Sequence, residues 1–308
     1  TRPLFAMGGG DAYLNVVAEA RTEGYKDIYD SLSEGGVVLG SAGNSAGGSR
    51  DVNAFGAELL LPITKGLEVS LAARQEKYSD YGSDFSPKAS VRFQPMKSLT
   101  LRGSYGEGFS APTLPQLTQK PAYSADSVVD RKHCIADGNT AAFCDANPKP
   151  SFQINGLVIS NPALTSEKSK QFALGGVWDI TPALSVELTY WNTKIDGLIS
   201  NVSAQTLVNR ENGTSSTPIP PGLSVTRDAN GAIAQVIRGA TNEGTLETGG
   251  VDASVQFEHK WAAFGRFRHN LRYSWVEKYE TNGNDAIGTF GAPRERATVG
   301  TNWSMGPF

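Results

Sequence analysis

Gly43-Asn-Ser-Ala-Gly47 has the Gly-x-Ser-x-Gly spacing in which a strained strand-to-helix turn exposes a nucleophilic serine, and Val37-Val-Leu39 ahead of it has the composition of a strand. The helix that such an elbow needs does not follow. Gly48-Ser-Arg-Asp-Val-Asn53 continues as loop and then as strand, and Ser41-Ala-Gly43 has the same Gly/Ser bias, so Ser45 is expected to be a loop serine and a serine hydrolase is the least favoured reading. Cys134 and Cys144 lie ten apart among Lys132, His133, Asp137, Asn139 and Asp145. A disulfide is the first expectation; free thiols and a Cys/Cys/His metal site using His133 are the alternatives, the metal needing a fourth ligand and a second shell that the sequence does not identify. His133, His259 and His269 have no metal-binding spacing, and the last two fall near a turn, where solvent-exposed imidazole is expected.

The elements that position these residues follow from composition. The chain has 308 residues with a net charge of −3, which leaves no bulk basic surface for nucleic acid. Glycine takes 34 positions and charged residues only 19%, a turn-rich β composition. No apolar run approaches the ~18 residues of a membrane helix. The sequence opens at Thr1 without an initiator Met or a secretory leader, and both ends are expected to be cut from a longer chain.

Alternation with period two dominates. Leu99-Thr-Leu-Arg-Gly-Ser-Tyr105, Leu184-Ser-Val-Glu-Leu-Thr-Tyr190, Val251-Asp-Ala-Ser-Val-Gln-Phe257 and Leu271-Arg-Tyr-Ser-Trp275 each put apolar groups on one face and polar ones on the other. A soluble sandwich and a membrane barrel share this signal, so connection lengths decide. Short turns near 62–66, 95–97, 179–182 and 260–265 alternate with longer Gly/Ser/Asn-rich connections near 28–50, 80–85, 110–166, 200–234 and 281–292. That is the pattern of an up-and-down outer-membrane barrel with tight periplasmic turns and long extracellular loops. Phe93, Trp178, Trp261, Phe264 and Trp303 sit beside the short turns, where an aromatic girdle belongs. The expected fold is an all-β, antiparallel transmembrane barrel of which the chain holds about ten strands, in one partial barrel domain over 1–308.

The run Ala57-Glu-Leu-Leu-Leu-Pro62, Tyr78-Ser-Asp-Tyr-Gly82 and above all Leu101-Arg-Gly-Ser-Tyr-Gly-Glu-Gly-Phe-Ser-Ala-Pro-Thr-Leu114 with Leu117 resembles the barrel domain of TonB-dependent outer-membrane receptors. Tyr105, Gly108, Phe109, Ala111, Pro112, Leu114 and Leu117 carry the most specific part, with Ser110 where many members have Arg. Asn161-Pro-Ala-Leu164, Glu167, Ser169, the stretch from Asn242 to Asp252, and Pro293-Arg294 continue it. The resemblance implies a 22-stranded barrel with a plug, no cofactor and no bond-making chemistry. It also implies TonB, the plug and outer-membrane lipid as partners, and uptake of a ferric siderophore, haem, cobalamin or oligosaccharide. A passive porin-like channel is the alternative.

In such a barrel Cys134 and Cys144 fall in the longest extracellular loop, an oxidising place that favours the disulfide. Tyr123, His133, Phe143 and Phe152 are the candidate ligand contacts there, since their rings can stack on a sugar or a siderophore. Arg74, Arg102, Glu187, Asp252, Glu258 and Arg272 are expected to face the lumen, against the plug or the ligand path. The helix-like stretch from Ala204 to Arg210 is expected to cap a loop.

Overall fold

The computed structural model describes residues 2–38, 43–147 and 153–305. Its first strands are β1 (Arg2–Met7), β2 (Gly10–Asp27), β3 (Ala46–Thr64), β4 (Leu67–Tyr78), β5 (Gly82–Met96), β6 (Leu99–Ser110), β7 (Ala122–Ser127) and β8 (Gln153–Ile159). They continue as β9 (Glu167–Thr181), β10 (Leu184–Asn201), β11 (Ser224–Arg227), β12 (Ile233–Trp261), β13 (Gly265–Thr281), β14 (Asn284–Asp285) and β15 (Glu295–Ser304). Five short helices lie among the described residues: α1 (Ser31–Glu34), α2 (Leu114–Thr118), α3 (Arg131–Ala136), α4 (Ala141–Ala146) and α5 (Ala204–Glu211).

One antiparallel wall runs β1-β2-β3-β4-β5-β6-β9-β10-β12-β13, with β15 beyond β13. Every wall strand pairs with its sequence neighbour except where β7, β8 and β11 leave the ladder. Two- or three-residue turns join the strands at one end, at 8–9, 65–66, 97–98, 182–183 and 262–264. Gly265 enters β13 with φ +86°, a left-handed conformation suited to glycine. At the other end the connections are long, apart from 79–81. The 80–85 segment expected to be a long loop is therefore a tight turn: Gly82, at φ +132°, already belongs to β5.

Register fixes which residues share a face. Leu59 opposes Leu71, Leu71 opposes Ala89, Phe93 opposes Leu101, and Leu271 opposes both Val255 and Val299, giving one continuous apolar face. On the other face Arg92 opposes Arg102, Glu187 opposes Ser254, and Ser254 opposes Arg272. Leu71, Leu101, Leu174 and Leu188 are exposed, so the wall has no apolar core of its own. Such a face needs a lipid solvent, which fits a membrane barrel wall.

The buried core lies in the long connections. Parallel pairing of β8 with the first residues of β12, flanked by β7 and β11, makes a small mixed sheet. The helix α5 packs on it through Leu207 and Val208, both fully buried, beside Val128, Ile154, Val202 and Val236. Ser203 starts α5 by accepting from the Thr206 amide at 3.1 Å. This helix is thus more than the cap expected: it forms the centre of a folded loop domain.

Candidate functional site

The motif strip from Tyr105 to Leu117 serves as a fastening. β6 ends at Ser110, and the chain beyond it is pinned where Arg50 of β3 donates to the Pro112 carbonyl at 2.8 Å. Arg50 also pairs with Glu23 and Asp80 and lies over the Tyr78 ring at 4.9 Å. Tyr78 in turn meets Tyr81 and the edge of Phe109. Thr113 and Gln116 form a reciprocal capping box on α2, and Leu114 and Leu117 are buried. Leu117 packs with Leu164, Ala240 and Ile199.

The other family-like residues fasten neighbouring points. Asn161 donates to the Ala240 carbonyl at 3.0 Å, and Asn242 donates to the carbonyls of Thr165 and Gly197. Glu167 accepts from the Ile199 amide at 2.8 Å, where β10 is irregular and Gly197 has φ +67°. Asp84, almost fully buried, accepts from Tyr81 and Ser166, both at 2.7 Å, and from Lys168.

The serine of the Gly-x-Ser-x-Gly match is also a fastening. Ser45 is buried, its Oγ accepts from the Tyr29 amide at 2.9 Å, and its carbonyl accepts from Lys120. A strand follows it directly, so the turn that would expose a nucleophile is not formed. Val37 and Val38 are not in a strand but follow α1; Leu39 lies outside the described residues.

Cys134 and Cys144 form a disulfide with Cα atoms 6.0 Å apart, joining α3 to α4. Arg131 reinforces the joint through both Asp145 oxygens at 2.6 and 3.2 Å. No group of His, Cys, Asp and Glu able to hold a metal occurs among the described residues. Closing a ten-residue loop constrains the unfolded state by about 2 to 3 kcal/mol. Replacing both cysteines by serine should therefore speed proteolysis within 131–147 while leaving heat-resistant barrel mobility on gels unchanged.

Of the candidate ligand contacts, Tyr123 lies on β7, more than half exposed, with its ring close against Gly36 of the 28–45 connection. His133 lies on α3 with Asp137 at 3.9 Å, and Phe143 is an exposed residue of α4. Phe152 is outside the described residues. Tyr123, His133 and Phe143 thus all belong to the long-connection end. Phe290 is fully exposed between Gly288 and Gly291, both at positive φ; its signal in sequence is one aromatic bracketed by two glycines in a long connection.

A charge network holds the loop domain together. Arg227 donates to both Asp130 oxygens at 2.7 and 3.0 Å and to Glu211 at 2.8 Å. Lys132 completes it on the Glu211 carbonyl and carboxylate. Burial alone would raise the Asp130 carboxyl, but the Arg227 hydrogen bonds and charge overcome it and hold the group below its ordinary range. Glu211 is lowered against the same opposition by Arg227 and Lys132.

On the polar face of the wall, Arg74, Arg102, Glu187, Asp252, Glu258 and Arg272 share one side by register, as expected. Arg102 pairs with Glu187 and donates to Thr189 at 3.0 Å; Asp252 accepts from Ser274 at 2.6 Å. Together with Arg272 they line a groove of about 610 Å³. His259 and His269 lie on the opposite, apolar face, within an aromatic stack. They are half-buried rather than freely solvent-exposed, because their neighbours across the ladder are Phe267 and Phe257.

A family profile described as TonB dependent receptor-like, beta-barrel, matches residues 5–308. A search of curated proteins returns no match. Among solved structures, a variant of the ferric enterobactin receptor PfeA from Pseudomonas aeruginosa superposes with a TM-score of 0.65 at 16% identity, covering 95% of this chain and 36% of that one. The siderophore receptor PirA from Acinetobacter baumannii gives 0.66 at 17% identity, over 96% of this chain and 38% of the receptor. The FrpB iron transporter from Neisseria meningitidis gives 0.50 at 10% identity, over 87% and 33%. At these identities the likeness is one of fold, and the chain spans little more than a third of each receptor.

Proposed function

The chain belongs to the TonB-dependent receptor-like β-barrel family, and we propose that it forms part of the wall and the outer loops of a receptor that imports a scarce, bulky ligand with energy relayed by TonB. The family is one of bacterial outer-membrane receptors, not of enzymes, and the chain's place is the outer membrane. The match over residues 5–308 is the single observation that carries this reading. A polar, charge-paired face and an apolar, exposed face agree with it, the first toward a plug and the second toward lipid. Residues 1–308 are then a partial domain of a 22-stranded barrel, with its short turns in the periplasm.

A siderophore-like ligand is the favoured cargo, because PfeA and PirA are siderophore receptors by name and share the fold. Haem, cobalamin and an oligosaccharide are the other classes. Tyr123, His133, Phe143, Phe152 and Phe290 are the proposed loop contacts. The full-length receptor, expressed in cells with and without TonB, should accumulate one ferric siderophore from a panel only when TonB is present. Uptake that persists without TonB would leave a passive porin-like channel.

A further inference from the structure

The apolar face at the short-turn end of β12, β13 and β15 holds two imidazoles inside an aromatic stack. His259 has Phe257 and Phe267 at 5.5 and 5.2 Å between ring centroids, with nearly parallel planes, and Trp261 at its edge. His269 stacks on His259 at 5.2 Å, and Phe267 carries the stack on to Trp303. The ladder accounts for the grouping: His259 opposes Phe267, His269 opposes Phe257, and Trp303 opposes Phe267 from the other side.

The nitrogens of these rings are not equivalent. Nδ1 of His259 is buried with no hydrogen-bond partner among the described residues, so a proton there would be an orphaned donor. The neutral ring therefore carries its proton on Nε2. Nδ1 of His269 lies 2.9 Å from the Thr301 hydroxyl, which donates to it when that ring's proton is also on Nε2. With Thr301 donating to Nδ1, the two parallel rings, 5.2 Å apart, each carry an Nε2–H on the apolar face of the wall.

We propose that His259 and His269 form a headgroup site for a glycerophospholipid of the periplasmic leaflet, their two Nε2–H groups donating to oxygens of one phosphodiester. The occupant follows from chemistry and depth. The short-turn end places the pair at the periplasmic girdle, where the polar groups facing the wall are lipid headgroups. A phosphodiester anion receives stronger hydrogen bonds than a neutral glycerol ester. The flanking Trp261, Phe257, Phe267 and Trp303 supply the apolar surface for acyl chains. The inference rests on the outer-membrane placement and not on the imported ligand.

Native mass spectrometry of the full-length receptor in detergent would read retention of phosphatidylglycerol by wild type, H259F/H269F and H259Q/H269Q. Phenylalanine keeps the stack and removes both donors, whereas glutamine restores a donor. Retention should weaken about tenfold in the Phe variant and recover in part in the Gln variant. Equal retention by wild type and the Phe variant overturns the site. Displacement by diacylglycerol as effective as by the phospholipid does the same, leaving only an apolar belt. Competition by inorganic phosphate assigns the donors to a soluble anion and overturns the lipid. If the variants fail to insert, wild type alone decides: its imidazole Nε2 resonances should shift with dihexanoyl phosphatidylglycerol and not with dihexanoylglycerol, and resonances unmoved by either refute the proposal.

Discussion

Arg227→Met should release the loop domain while leaving the wall folded. Asp130 keeps only 7% of its side-chain surface exposed, and Arg227 is its charge partner. Removing one member of a buried pair leaves an uncompensated charge and costs about 3 to 5 kcal/mol. Hydrogen exchange should rise across β7, β8, α5 and β11 and remain slow in β9 and β10. Unchanged protection in α5 would refute the role given to Arg227.

The pH dependence has a definite sign. Asp130 and Glu211 are held below their ordinary range in the folded state. Their contribution is therefore complete above the ordinary carboxylate range and is lost as pH falls through the lowered values, below about pH 4. In Arg227→Met the sign at Asp130 reverses, because burial without a partner raises that carboxyl. The gap in loop stability between wild type and variant should accordingly narrow on acidification, measured by hydrogen exchange at pH 7 and about pH 3.

Leu207→Ala should be the second large effect. Leu207 is fully buried in the loop core against Val208, Val236 and their neighbours, and truncating such a leucine costs about 2 to 5 kcal/mol, depending on how far the site collapses. Proteolysis should appear in 202–232, with heat-modifiable barrel mobility unaltered. In the full-length receptor, ligand binding should weaken while insertion stays normal. A loop that remains protease-resistant would mean that α5 is dispensable to this core.

The wall was legible because its signal is local. Alternation in Leu184 to Tyr190 or Val251 to Phe257 needs no partner to be read, and glycine and proline mark the short turns. The charges assigned to the polar face follow from the same period. The cysteine pair was equally local. The Asp80-Tyr-Gly82 stretch has the composition of a loop, but Gly82 closes a tight turn there.

The loop domain was not legible, since its contacts join distant residues. Asp130 meets Arg227 across 97 positions, and Arg238 meets Asp126 across 112. Nothing in either neighbourhood marks the partner. The motif strip illustrates a different limit. Pro112 and Leu117 identified the family, and Leu164 belonged to the same resemblance, but no motif included Arg50, which pins Pro112, or showed that Leu117 packs on Leu164.

β12 is one strand of 29 residues common to two sheets, pairing with β8 and β11 above and with β10 and β13 below. At about 3.3 Å per residue it spans roughly 90 Å of continuous chain. The loop domain therefore has no hinge of its own on this strand, and a load applied to it is carried into the wall as into a beam. Among the described residues the strand's register slips against β11 between Ile233 and Gln235, against β10 between Thr241 and Thr245, and against β13 at Gly249 and Gly250. The last of these slips lies beside Trp275 and the groove lined by Asp252, so that loading the loop domain and straining the wall become a single mechanical event.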